Sequence, residues 1–197
     1  IKLNLMAKLI GLNKIKTAVF ISGTGSNLKN LINFSKTKKC PISIDLIISN
    51  TIKAKGLKFA NQYQIKKKIF NFKNIKTTEK KLFISLEKNK IKFICLAGFM
   101  KILSSKFIKQ FNGKIINIHP SLLPRYKGLN THSKAIQNKD KFSGCTVHYV
   151  TEKLDSGKII MQKKIKILKK DTSSSLARKI LKQEHKIYPK AILKIFN

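Results

Sequence analysis

Residues 17–35 read Thr-Ala-Val-Phe-Ile-Ser-Gly-Thr-Gly-Ser-Asn-Leu-Lys-Asn-Leu-Ile-Asn-Phe-Ser. Thr17 to Ser22 is a short, nearly unbroken apolar run, the pattern of a strand buried on both faces. Gly23 and Gly25 then punctuate the chain, and Asn27 to Ser35 carries apolar residues at helical spacing. The same alternation continues. Ile42 to Ser49 reads as a second strand, followed by a helix from about Lys53 to Tyr63. Lys67 to Phe70 is a short third strand, and Thr78 to Lys88 has helical spacing. Lys92 to Ala97 is a buried strand, Ser104 to Phe111 a short helix and Lys114 to Ile118 a further strand. Strands separated by helices of this length imply an α/β fold, a Rossmann-like, mostly parallel sheet with helices on both faces. Beyond Gly128 the pattern changes: Gly144–Val150 and Lys158–Ile167 read as successive strands across a Leu-Asp-Ser-Gly turn, so the C-terminal part is expected to be antiparallel. A terminal helix runs from Ser173 to Phe196, with an interruption expected near Pro189.

The strand at Lys114 leads into Lys-Ile-Ile-Asn-Ile-His-Pro-Ser-Leu-Leu-Pro-Arg-Tyr-Lys-Gly, residues 114–128. Asn117 and His119 lie two apart, so on a strand both side chains emerge on one face. Pro120 holds His119 in extended geometry. An amide and an imidazole side by side at the end of a buried strand suit polarisation of a carbonyl oxygen, which points to an enzyme. The turn Ser22-Gly23-Thr24-Gly25-Ser26-Asn27-Leu28 ends at a helix N-terminus, where unpaired backbone N–H groups attract an anion. It lacks the third glycine of the dinucleotide fingerprint and the Lys-Ser/Thr of a triphosphate loop. Two readings stay open: a single phosphate monoester held by Gly25, Ser26 and Asn27, or an ordinary turn with a capped helix.

At 197 residues and 42% hydrophobic content, the chain suits one domain with a sizeable core. Residues 1–14 read as a poorly ordered leader extension, with a single domain over 15–197; Lys8 splits the leader's apolar stretch and no small-residue cleavage site follows. Lysine interrupts nearly every apolar run, so a cytoplasmic protein without a membrane partner is expected. Cys40, Cys95 and Cys145 are odd in number with no Cys-x-x-Cys pair, and read as buried reduced thiols. The histidines lack zinc-ligand spacing and the eight acidic residues are too few for a hard-metal cage, so no metal is expected. The formal charge is +35, and of 43 basic residues only Arg125 and Arg178 are arginine. Lysine is spread along the chain together with Ile, Asn and Phe, residue types that share A/T-rich codons. Mutational bias accounts for that better than a specific nucleic-acid partner, which calls for Arg forks and aromatic platforms. The positive field still attracts anionic small molecules.

Six segments, in order, resemble the glycinamide ribonucleotide (phosphoribosylglycinamide) formyltransferases. They are Ile-Ser-Gly-Thr-Gly-Ser-Asn-Leu (21–28), Leu-Ala-Gly-Phe-Met-Lys-Ile-Leu (96–103) and Asn-Ile-His-Pro-Ser-Leu-Leu-Pro (117–124). Gly-Leu-Asn-Thr-His (128–132), Val-His-Tyr-Val-Thr-Glu-Lys-Leu-Asp-Ser-Gly (147–157) and Gln-Glu-His-Lys-Ile-Tyr-Pro (183–189) complete the set. The resemblance implies a transferase of purine biosynthesis and one-carbon metabolism, moving a formyl group from 10-formyltetrahydrofolate to the amine of glycinamide ribonucleotide. It implies catalytic roles for Asn117, His119 and Asp155. Asn117 and a protonated His119 would donate to the oxygen on which charge develops. Asp155 would raise the His119 pKa and help move the proton leaving the amine. By the same resemblance Gly25, Ser26 and Asn27 hold the phosphate, and Glu184 contacts the ribose. Met100, Lys101, Ile102 and Leu103 would pass along the folate near Asn117, with Thr151, Glu152, Lys153, Leu154 and Asp155 on its other side. Leu96, Ile102, Leu103, Phe107 and Ile108 would line a pteridine pocket. The implied partners are small molecules, with no specific nucleic acid; monomer and homodimer both stay open.

Some positions depart from the family pattern. Lys127 stands where proline is usual, Asn130 replaces a common histidine, and no arginine near Glu79 and Lys80 is assigned to the folate. The stretch after Ile-Tyr-Pro is short. Methionyl-tRNA formyltransferases share the Asn-x-His and Leu-Asp-x-Gly elements, but lack the Gly-x-Gly-Ser-Asn loop and carry a tRNA-binding domain. Formyltetrahydrofolate hydrolases add an N-terminal regulatory domain. Those enzymes and a basic nucleic-acid-binding protein are the alternatives.

Overall fold

In β1 (Ile15–Ile21), Val19 and Ile21 face one side of a sheet and Ala18 and Phe20 the other, all four wholly buried. A strand buried on both faces belongs in the interior of a sheet covered on both sides. β2 (Ile42–Ser49) flanks it in parallel on one side and β4 (Phe93–Leu96) on the other. With β3 (Lys66–Ile69), β5 (Lys114–His119), β6 (Phe142–Tyr149) and β7 (Ile159–Lys166), the order is β3-β2-β1-β4-β5-β6-β7. The first five strands are parallel; β6 runs antiparallel to β5, and β7 antiparallel to β6. The computed structural model describes residues 14–196, so all of the expected leader except Lys14 lies outside the described residues.

Helix α1 (Ser26–Ser35), α2 (Lys58–Gln62), α5 (Thr131–Gln137) and α6 (Ser173–Phe196) send apolar side chains into the core on one face of the sheet. Helices α3 (Ile75–Lys88) and α4 (Ser105–Gln110) close the other face through Leu82, Leu86 and Phe107. Edge strand β3 exposes three consecutive lysines, a charge pattern that opposes pairing with another chain. The strand order reverses at β1, so the loops leaving the carboxyl ends of β1 and β4 part from each other there, and a crevice forms above the sheet. The end of β5 opens onto it. Cys40, Cys95 and Cys145 are free and buried, and burial pushes the Cys145 thiol up to about 12, which leaves it inert as a nucleophile.

Three segments differ from the sequence expectation. The helix expected over Lys53–Tyr63 divides into a 3-10 turn, Lys55–Leu57, and α2, because the Gly56 N–H donates to Gly23 O at 3.0 Å instead of joining a helical ladder. Helix α5 had no counterpart in the sequence reading; its seven residues bury only Thr131 and Ala135, one turn apart. Helix α6 continues through Pro189 without a break. A proline in a helix removes one N–H and crowds the carbonyl four residues earlier. Here that carbonyl, His185 O, accepts from Asn30 Nδ2 of α1 at 2.8 Å, so the missing donor is supplied from outside the helix.

The glycine turn after β1 depends on contact between two backbones. Gly25 has φ +76°, and a Cβ there would lie 2.6 Å from the Gly56 Cα. A Cβ on Gly56 would meet Gly25 Cα and the Ile21 side chain at 2.8 Å. Gly56→Ala is therefore expected to push the turn off the 3-10 segment and lower stability by about 1–3 kcal/mol. Urea unfolding would show this as a lower midpoint at unchanged slope; an unaltered midpoint would contradict the packing described.

Candidate active site

The β1, β4 and β5 loops, the β6–β7 connection, α5 and α6 enclose a cavity of about 710 Å³. That volume suits a small-molecule site. Helix α1 meets the cavity at its N-terminus. Its first-turn N–H groups have no helical acceptor, and Gly25 O already takes the Lys29 N–H at 2.9 Å. Ser26 and Asn27 line the cavity there, whereas Gly25 sits behind them against Gly56. Asn27 Nδ2 donates to Glu184 Oε2 at 2.7 Å, and Asn27 Oδ1 is buried without a partner among the described residues. Glu184 also lines the cavity and is only 7% exposed, so it is not a solvated surface acid among the lysines of α6. Burial raises its carboxyl pKa above the usual range, and the Asn27 hydrogen bond offsets this only in part.

The wall after β4 hangs from the end of β1. Ser22 Oγ accepts the Met100 N–H at 2.7 Å while donating to Asn50 Oδ1, and the Ser22 N–H donates to Gly98 O at 3.1 Å. Met100, Lys101, Ile102 and Leu103 all face the cavity; Met100 and Ile102 are largely exposed, and Leu103 turns into the core. Leu96 and Ile108 join this wall. Phe107, expected beside them, does not: it is buried between Phe83 and Phe111, edge-on to the first and stacked on the second. Glu79 is withdrawn too, its carboxylate accepting the Ser104 N–H and hydroxyl at the start of α4.

Thr151 to Asp155 form the opposite wall. Asp155, at φ +45°, turns its side chain inward. Its Oδ2 accepts the Gly128 N–H at 2.8 Å and lies 3.4 Å from His119 Nδ1, while Oδ1 lies 3.6 Å from His148 Nε2. Burial alone would raise the Asp155 pKa. Its contacts with His148, the Gly128 N–H and His119 outweigh that and hold it below the usual carboxylate range. Asn117, His119 and Asp155 thus all line the cavity, with His119 and Asp155 side by side. His119 Nε2 donates to Tyr126 O at 2.8 Å, an engagement the sequence reading did not anticipate.

The sequence reading also missed His148. It faces Asn117 directly across the antiparallel β5–β6 pair. Its Nδ1 lies 2.9 Å from Tyr149 O, which can only accept, and its Nε2 lies 3.3 Å from Asn117 Nδ2, which can only donate. His148 therefore sets which way the Asn117 amide points. The alternation of β6 was the available signal, but its pairing partner was not. His132 is a further lining residue; burial, and then the His119 charge, lower its pKa, and its Nδ1 has no partner among the described residues. Among the described residues, no group of three or more His, Cys, Asp or Glu side chains is placed to hold a metal ion, and no helix is long and apolar enough to cross a membrane.

The sequence profile of the formyl transferase family matches residues 15–192. The chain is 42% identical over 180 residues to phosphoribosylglycinamide formyltransferase of Haemophilus influenzae, covering 90% of this chain and 85% of that one. It is 41% identical over 182 residues to the human trifunctional purine biosynthetic protein adenosine-3, covering 91% of this chain but spanning only 18% of that longer protein. Among solved structures, phosphoribosylglycinamide formyltransferase from Anaplasma phagocytophilum superimposes with a TM-score of 0.85 at 42% identity, covering 91% of this chain and 85% of that one.

The buried Glu184 makes stability depend on pH. Its folded pKa lies above the unfolded value of about 4.3, so the unfolded state ionises first as pH rises and stability falls until the folded group ionises as well. Glu184→Gln keeps an acceptor for Asn27 and removes this loss. The melting temperature of the variant relative to wild type is expected to climb as pH rises above about 4 and then level off. A difference that stays constant from pH 4 to 8 in scanning calorimetry would contradict the buried charge.

Proposed function

We propose, because this chain belongs to the formyl transferase family, that it transfers a formyl group from 10-formyltetrahydrofolate to the primary amine of glycinamide ribonucleotide in purine biosynthesis. The observation that carries this reading is the convergence of Asn117, His119 and Asp155 in a cavity that the N-terminus of α1 also lines. These two parts of the lining suit the two parts of the acceptor. First-turn N–H groups of Ser26 and Asn27 receive its phosphate, and Glu184 accepts from ribose hydroxyls.

The folate fits between the apolar Leu96–Leu103 wall and the Thr151–Asp155 loop. When bound, it supplies the activated formyl carbon. As the amine adds to that carbon, negative charge grows on the formyl oxygen. Asn117, with one amide N–H given to His148, directs the other at this oxygen. The His119 Nε2–H, which Tyr126 O accepts in the structure, would reach this oxygen by exchanging that acceptor for the formyl group. A donor aimed at the developing charge, as the Asn117 amide is, favours the transition state over the ground state. Asp155 orients the His119 ring through Nδ1 and takes up the proton shed by the amine for delivery to the departing folate nitrogen. The new C–N bond thus replaces the old one without a covalent link to the enzyme.

Spectrophotometric assay of folate deformylation is expected to show turnover only when both substrates are present. His119→Ala and Asp155→Ala should each lower kcat by about 10²–10⁴-fold while circular dichroism stays native. Near-normal turnover in either folded variant would remove that residue from the mechanism, and turnover without the ribonucleotide would favour a hydrolase.

A further inference from the structure

We propose that Asn30 is a positioning residue for the ribonucleotide end of the site, acting through the backbone of α6. The inference rests on the reading of Ser26, Asn27 and Glu184 as that end. Asn27 and Asn30 lie three residues apart, hence on one face of α1. Each reaches a consecutive residue of α6: Asn27 Nδ2 donates to the Glu184 carboxylate at 2.7 Å and Asn30 Nδ2 to His185 O at 2.8 Å. One amide grips a side chain and its neighbour grips the main chain.

The acceptor Asn30 finds is the carbonyl that Pro189 leaves without a helical donor, four residues back. Proline is the commonest cause of a sharp helix kink, and a kink here would open one residue from Glu184. Two external ties hold this turn. Asn30 supplies the missing donor, and the buried Tyr188 hydroxyl donates to Leu96 O at 2.9 Å at the end of β4. The proline leaves a carbonyl for α1 to seize, and Asn30 converts a weak point into a joint of fixed register between the phosphate turn and the acid beside it. Loss of Asn30 would leave His185 O without a donor and free α6 to bend at Pro189. Glu184 would then shift relative to Ser26 and Asn27, while the folate walls, built on β4 and the β6–β7 loop, would stay in place.

The test is a double-substitution cycle in the intact chain, read as KM for each substrate. Asn30→Ala is expected to raise KM for glycinamide ribonucleotide about tenfold, with kcat and the folate KM within about twofold of wild type. Pro189→Ala alone should change little, because alanine restores the helical N–H to His185 O while Asn30 still donates. In the double variant that restored N–H is expected to return the ribonucleotide KM to within about twofold of wild type. If Asn30→Ala does not fold, Asn30→Ser, too short to reach His185 O, takes its place in the same cycle. An unchanged ribonucleotide KM, an equal rise for both substrates, or a double variant no better than the single one would overturn the role of Asn30. A wild-type chain inert toward the ribonucleotide would end the functional reading, and the positioning role with it. An active wild type with uncoupled substitutions would remove Asn30 alone.

Discussion

The Asp155 carboxylate accepts the Gly128 N–H at 2.8 Å while standing 3.4 Å from His119 Nδ1 and 3.6 Å from His148 Nε2, and so joins the two long loops to the ends of β5 and β6. A carboxylate with a side chain only 7% exposed is costly unless partnered. This one also occupies a left-handed backbone conformation, an additional cost. Its three partners outweigh the cost of burial, and the acid ionises more readily than usual. If the carboxylate were removed, the 126–130 loop, the 151–157 loop and two imidazoles would lose the group they share. Lys127, standing where the family usually has proline, adds a second tie between the loops by donating to Ser156 Oγ at 2.6 Å.

The charge balance gives this tie its context. With a formal charge of +35 and only eight acids, the chain could have placed every carboxylate against a surface lysine. Instead, most acids perform a defined structural task. Glu79 holds Ser104, the N-cap of α4, Asp140 receives Arg125 and Tyr126, and Asp171 braces the start of α6 through Ser175 and Lys179. Asp155 and Glu184 both line the cavity, and their surroundings push their pKa values apart, Asp155 down and Glu184 up. The exposed Lys109–Glu152 contact resembles an ordinary surface pair, which contributes little to stability. The lysines form a solvated field around a small number of specifically partnered acids.

Much of this architecture was legible in the amino-acid order because it rests on local rules. Ile42–Ser49 coincides with β2 end to end, and the other strands differ from expectation by a residue or two at their ends. Apolar runs of four to eight residues and glycine turns are short-range signals. The partnership of Asn117 and His119 was likewise visible, since a two-residue repeat puts them on one face once the segment is a strand. Helix α5 was missed because its local pattern is weak, with only Thr131 and Ala135 buried, whereas three other departures involve a distant partner: Gly56 drawn to Gly23, Pro189 supported by Asn30, and Phe107 packed on Phe83.

Chain order alone therefore specified a parallel α/β sheet, its glycine turn and a polar pair at the mouth of β5, because backbone periodicity and turn chemistry act within a few residues. Whether His148 opposes Asn117, whether Asp155 reaches both rings and whether Glu184 is buried were settled only by folding. Those contacts bridge 7 to 157 positions in sequence, from His148–Asp155 to Asn27–Glu184. They depend on strand register and on how one helix lies against another, and no local repeat encodes either.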